Sequence, residues 1–128
     1  MSLTKIDVHA AGADVNYAMV LPASISDPVV SSAGAAATAT MAATTDGTQN
    51  VISQVFCSYS ATPTGGRITI ADSNGTLFDQ DIVGTNPGTF TFSPPLTSQT
   101  PGSALTVTLA SGGGAVVAKV VVRGWLEK

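Results

Sequence analysis

Between residues 104 and 128 the chain reads ALTVTLASGGGAVVAKVVVRGWLEK. Leu105, Val107 and Leu109 alternate with Thr106 and Thr108, which predicts a strand with one apolar face and one hydroxyl-bearing face. The β-branched run after Val116 predicts a second strand. There Ala118, Val120, Val122 and Leu126 share one face, while Lys119, Arg123 and Glu127 share the other. Ser111-Gly112-Gly113-Gly114 lies between the two and reads as the turn of a hairpin. A lone hairpin is marginal in water, so the rest of the chain must supply sheets for it to lie in.

The same two-residue period runs back along the chain. RITIA at residues 67–71 turns Ile68 and Ile70 inward, and Asp72-Ser73-Asn74-Gly75 joins it to TLFDQDIV at residues 76–83 as a hairpin. Phe90 and Phe92 fall on one face of the next strand, and Pro94-Pro95 is expected to end it, because proline cannot donate to a ladder. NVISQVFCSYS at residues 50–60 places Val51, Val55, Cys57 and Tyr59 on one face and Ile52 and Phe56 on the other, the mark of a strand covered on both sides. AGAAATATMAATT at residues 33–45 is rich in alanine, which favours helices. Its threonines, its lack of charge and the alternation of Ala37, Ala39 and Met41 predict a strand instead, closed by a turn at Asp46-Gly47. From residue 36 onward there are seven such strands at intervals of 8 to 15 residues, each closed by Gly, Pro, Asn or Asp. The fold class that follows is all-β, an antiparallel β-sandwich or jelly roll of about 7–8 strands, the eighth drawn from the residues ahead.

Those leading residues are less regular. Short strand-like runs at residues 6–9 and 16–21 are interrupted by Gly12, Pro22 and Pro28, so residues 1–34 read as an extended N-terminal arm and residues 35–128 as the sandwich domain. Ile25, Val29 and Val30 in the arm would be buried either along a neighbouring subunit or against the chain's own domain.

Charge and composition narrow the role. Charged residues make up 10% of the chain, against about a quarter in an average protein, and the net charge is −3 with no basic cluster. A surface this neutral is covered by another protein at little desolvation cost, whereas a phosphate backbone needs several cations on one face, so no nucleic-acid partner is expected. No run approaches the roughly 20 apolar residues of a membrane span and the N-terminus lacks a signal-peptide core, so the chain is expected to stay in the cytoplasm that makes it unless an assembly carries it out. Cys57 is the only cysteine. Between Phe56 and Ser58 it reads as a small buried side chain rather than a nucleophile.

Catalytic constellations fail one by one. His9 is the only histidine and has no nucleophile in a recognisable elbow nearby. Asp72, Asn74, Asp79 and Asp81 carry the alternating oxygens of a calcium loop, but Val83 stands where the closing glutamate belongs, and Asp79 and Asp81 read as a solvated face or as charge guarding a sheet edge. Gly112-Gly113-Gly114 precedes a strand and is not a phosphate loop. The expectation is therefore no enzyme, no catalytic residues, no metal and no cofactor. Trp125 shares its strand phase with Lys119 and Arg123, and Trp and Arg dominate interface energetics, so Arg123 and Trp125 are the interface candidates at the C-terminal end.

Residues 58–128 also carry a resemblance. SYSATPTGG, the F-x-F-x-PPL segment at TFTFSPPL, the strand end ALTVTLASGG and the closing valine-rich strand occur together and in order. Together they resemble a group of small tailed-bacteriophage virion proteins with a β-sandwich or jelly-roll body. The likeness covers a little over half of the chain. It implies a structural protein of the virion, first of all a decoration (cement) protein on the capsid exterior. Its partners would be the major capsid protein and copies of itself in a symmetric homo-oligomer such as a trimer. The alternative is a carbohydrate- or receptor-binding module of a phage tail or head fibre, which would need an exposed aromatic platform from Tyr17, Tyr59 or Trp125.

Overall fold

A computed structural model describes residues 28–127 with their side chains and, ahead of them, the backbone of three short strands. The strands are β1 (Val8–Ala10), β2 (Ala13–Val15), β3 (Ser24–Ile25), β4 (Val29–Val30), β5 (Ala37–Met41), β6 (Gln49–Tyr59), β7 (Arg67–Asp72), β8 (Gly75–Asp81), β9 (Gly88–Thr97), β10 (Leu105–Leu109) and β11 (Ala118–Glu127). β1 and β2 pair with each other, and β1 overlaps the first expected run; the second, at residues 16–21, lies outside the described residues, as does Tyr17.

Two antiparallel sheets make the body. Sheet I has the order β5-β10-β7-β8, and sheet II runs β11-β6-β9 with β3 and β4 both along the outer side of β11. The pairings nest: β7 with β8, β6 with β9, β5 with β10 and β4 with β11. One long hairpin, folded over so that its paired halves alternate between two sheets, gives this pattern. It is the jelly roll, with β4 as its eighth strand. The hairpin tip is the turn at residues 72–75. There the Asp72 carboxylate accepts a hydrogen bond from the Asn74 amide at 2.8 Å, and Gly75 takes a positive φ of 135°.

The core lies between the sheets. Leu105, Val107 and Leu109 of β10 and Ile68 and Ile70 of β7 have no exposure, and they face Ala118, Val120 and Val122 of β11 and Val55 and Cys57 of β6. Each such aliphatic side chain contributes about 1.5–3 kcal/mol on burial. Thr38, Thr40, Thr106 and Thr108 point to the outer side, as the alternation requires. At the open side between β8 and β9, Phe78 meets Phe90 and Phe92 with ring centroids 5.6 and 5.0 Å apart, closing the sandwich between two edge strands.

Three expectations are corrected. β10 and β11 are not a hairpin: they belong to different sheets and face each other across the core. The connecting residues cross between layers. The Thr64 amide donates to the Gly112 carbonyl at 2.7 Å, the Ser111 hydroxyl to the Gly34 carbonyl at 2.9 Å, and a Cβ on Gly112 would stand 2.9 Å from the Tyr59 ring. Two one-sided apolar strands bury each other when they are stacked; paired side by side, they would still need a second layer. Pro94-Pro95 does not end β9, which runs on to Thr97; as the edge of sheet II it can carry residues without an amide hydrogen, and its ladder with β6 skips from Thr91 to Leu96.

The third correction concerns β6. Arg123 pairs with Gln54 and Gly124 with Ile52, so Ser53 is an extra residue, a β-bulge. The bulge flips the phase. Ile52 therefore faces inward with Val55, Cys57 and Tyr59, and Val51 faces outward with Phe56. Gly124 is required beside the bulge, because a Cβ there would lie 2.0 Å from the Val51 carbonyl oxygen.

Candidate functional site

The outer side of sheet II is the part of the surface where apolar and charged side chains gather. β11 presents Lys119, Val121, Arg123 and Trp125 on that side, and β6 presents Phe56, Ser58 and, upstream of the bulge, Val51. The register sets Val121 opposite Phe56 and Trp125 opposite Val51. The bulge thus brings Val51 out to the tryptophan, and Val51 is buried there at 1% exposure.

Arg123 is exposed and its guanidinium lies 5.2 Å from the centroid of the Phe56 ring, a cation–π contact. Ser53 donates its hydroxyl to the Arg123 carbonyl at 3.2 Å, which fixes the backbone where the arginine leaves the sheet. A groove of about 350 Å³ crosses the strands next to this pair. Phe56 and Val121 form its floor, Lys119, Asn86 and Thr89 its polar rim, and Pro28 closes it on the β4 side. Trp125 is half-buried, and its indole Nε1 is buried with no hydrogen-bond partner among the described residues. An indole N–H held this way is the kind of donor that an interface satisfies.

The structure brings together two of the five candidate interface residues and spreads the other three along the neighbouring edge. Arg123 and Trp125 share the outer face of β11. Val29 pairs with Val120 and packs half-buried against the core, Val30 pairs with Lys119 and is 55% exposed, and the backbone of Ile25 pairs with Arg123. β3 and β4 thus border the site at the edge of β11. Phe56 and Val121 were not singled out from the sequence. The signal that could have found Phe56 was the second apolar face of β6, and the bulge hid only that Val51 rather than Ile52 shares it.

The remaining chemistry-bearing groups lie elsewhere. Tyr59 is buried and its hydroxyl donates to the Ala110 carbonyl at 2.7 Å, so it offers no platform to a sugar. Cys57 is buried, and loss of solvation pushes its thiol up to about 11, which leaves it protonated and unreactive at neutral pH. On β8, Asp79 accepts two hydrogen bonds from Arg67, one from Nε at 2.7 Å, and this guanidinium holds its carboxyl below the usual carboxylate range. Asp72 is engaged by the backbone amides of Asn74 and Gln99. Among the described residues no group of three or more His, Cys, Asp or Glu side chains converges as a metal site would.

No family model and no curated protein matches the sequence. A solved structure described as "CBM4 structure and function" superposes with a TM-score of 0.40 at 17% identity, covering 78% of this chain and 81% of that chain.

Proposed function

We propose that this chain is a structural subunit of a tailed-bacteriophage virion, a decoration protein that lies on the capsid exterior and acts by binding rather than by catalysis. The observation that carries the reading is the outer face of sheet II. Phe56, Val121 and Trp125 lie on the solvent side of a sheet whose other side is already packed, flanked by the cations Lys119 and Arg123. Together with the low charge of the chain and the resemblance at residues 58–128, it supports a surface that packs on the major capsid protein.

The test is binding to capsids that lack the protein. Wild type should bind and raise the temperature at which the shells open, while Trp125→Ala and Arg123→Ala should fold normally and bind at least about tenfold more weakly. Absence of wild-type binding would end the reading. A second reading, a glycan-binding module, is favoured by the groove over Phe56, since a hydroxyl and amide rim above an aromatic floor suits a sugar ring. A glycan array separates the two readings: selective signal, lost in Phe56→Ala, would favour the module over the decoration protein.

A further inference from the structure

The sandwich has four sheet edges, and three of them are protected against pairing. β8 carries Asp79 and Asp81; β9 carries Pro94 and Pro95 in its second half; the outer side of β11 is covered by β3 and by β4, each only two residues long. The fourth edge, β5, is ATATM: five residues with no charge and no proline. Among the described residues it pairs on one side only, with β10. Thr38 and Thr40 are exposed on its outer face, and Ala37 and Ala39 are buried on its inner face. A bare strand of this kind presents a row of backbone donors and acceptors to any chain that fits it.

We propose that β5 pairs with β5 of a second copy of this chain, antiparallel about a two-fold axis through Ala39. The sequence is complementary to itself in this register. Thr38 of one copy meets Thr40 of the other, twice, on the outer face, and Ala39 meets Ala39 on the inner face, so hydroxyl stands by hydroxyl and small side chain by small side chain. Charge favours the same edge. The acidic strand β8 is at the opposite end of sheet I, so pairing at β5 makes one eight-stranded sheet whose acidic edges lie about 30 Å apart, well beyond the distance at which salt screens them. Pairing at β8 would set those aspartates against each other. The product is a two-fold dimer rather than the trimer that the phage resemblance suggested, because each copy uses the same strand. It leaves the outer face of sheet II free and does not depend on what that face binds.

Sedimentation of the full chain tests this. Wild type should reach a dimer as concentration rises. Thr38→Lys/Thr40→Lys places lysine opposite lysine and should weaken self-association by about tenfold or more with unchanged circular dichroism and melting, because both positions are exposed. Thr38→Asp/Thr40→Asp should do the same alone, and an equimolar mixture of the two variants should restore a dimer of one copy of each. A wild-type monomer at every concentration, or an oligomer that the lysine variant leaves intact, would overturn the proposal. Capsid binding is read separately on each variant, so failure of the β5 pairing and failure of the decoration reading give different results.

Discussion

The outer faces of the two sheets are built to the same alternation and come out differently. On sheet I the outward positions are Thr38, Thr40, Thr106 and Thr108, and its charged residues Arg67 and Asp79 satisfy each other. On sheet II the outward positions include Val51, Phe56, Val121 and Trp125, and Arg123 rests on an aromatic ring instead of a carboxylate. A threonine face is content in water. A face with half-buried apolar groups keeps apolar surface against water, and among the described residues its two cations have no carboxylate partner. The contrast teaches that one strand period can make a hydroxyl-bearing wall or a partly apolar one, depending on what fills the outward register.

The comparison can be broken first at the layer both faces share. Val107→Asp should cost about 4 kcal/mol or more by burying an unpaired charge between the sheets, and thermal unfolding would register it as loss of the fold near room temperature or above. Gly124→Ala should cost about 3 kcal/mol, because the new methyl group runs into the Val51 carbonyl; the outer side of β11 would be displaced with it, and denaturant titration measures the loss.

Alkali should act through the core. The Cys57 thiol titrates at about 11 in the fold against 9.0 unfolded, so the unfolded chain releases its proton first. Stability should hold up to pH 9 and fall between pH 9 and 11, by about 2–3 kcal/mol in all. Raised by burial in the same direction, Tyr59 adds to that fall, and Cys57→Ala should make it shallower in urea titrations across this range.

The two outer faces themselves are sharpened by placing one charge on each. Val121→Asp on the half-buried face should cost about 2 kcal/mol, and Thr106→Asp on the threonine face less than about 1 kcal/mol. Equal melting shifts for the pair would erase the distinction drawn between the sheets. The smallest effect belongs to the sheet I ion pair: Asp79→Ala should leave the melting temperature unchanged at physiological salt, since both partners are solvent-exposed and screened.

Much of the body was legible in the residues. The threonines of β5 and β10, the turn at residues 72–75 and the buried Cys57 follow from period, turn chemistry and side-chain size, all of which act over a few neighbours. The site was legible only in part. Arg123 and Trp125 could be phased along their own strand, and Phe56 against Val55 and Cys57, but Val51 and Ile52 could not, because the extra residue at Ser53 inverts the face ahead of it and nothing in a serine announces it. Asn50 is a related case: its side-chain amide donates to the carbonyls of Ala42 at 2.9 Å and Ser103 at 3.0 Å, tying β6 to the end of β5 and the start of β10, and no local pattern marks it as buried.

The sequence by itself determined that this is an all-β chain, where its strands run, and which side of most of them is dry. Tertiary structure alone decided that β10 and β11 stack rather than pair, that β9 continues through its prolines at an edge, and that Val51 and Ile52 exchange faces across a bulge in β6. The reason is reach. Alternation is set by the pleat within a strand, whereas partner, layer and bulge are set by contacts between segments far apart in the chain, where burial of two faces against each other outweighs the turn that a run of glycines would otherwise make.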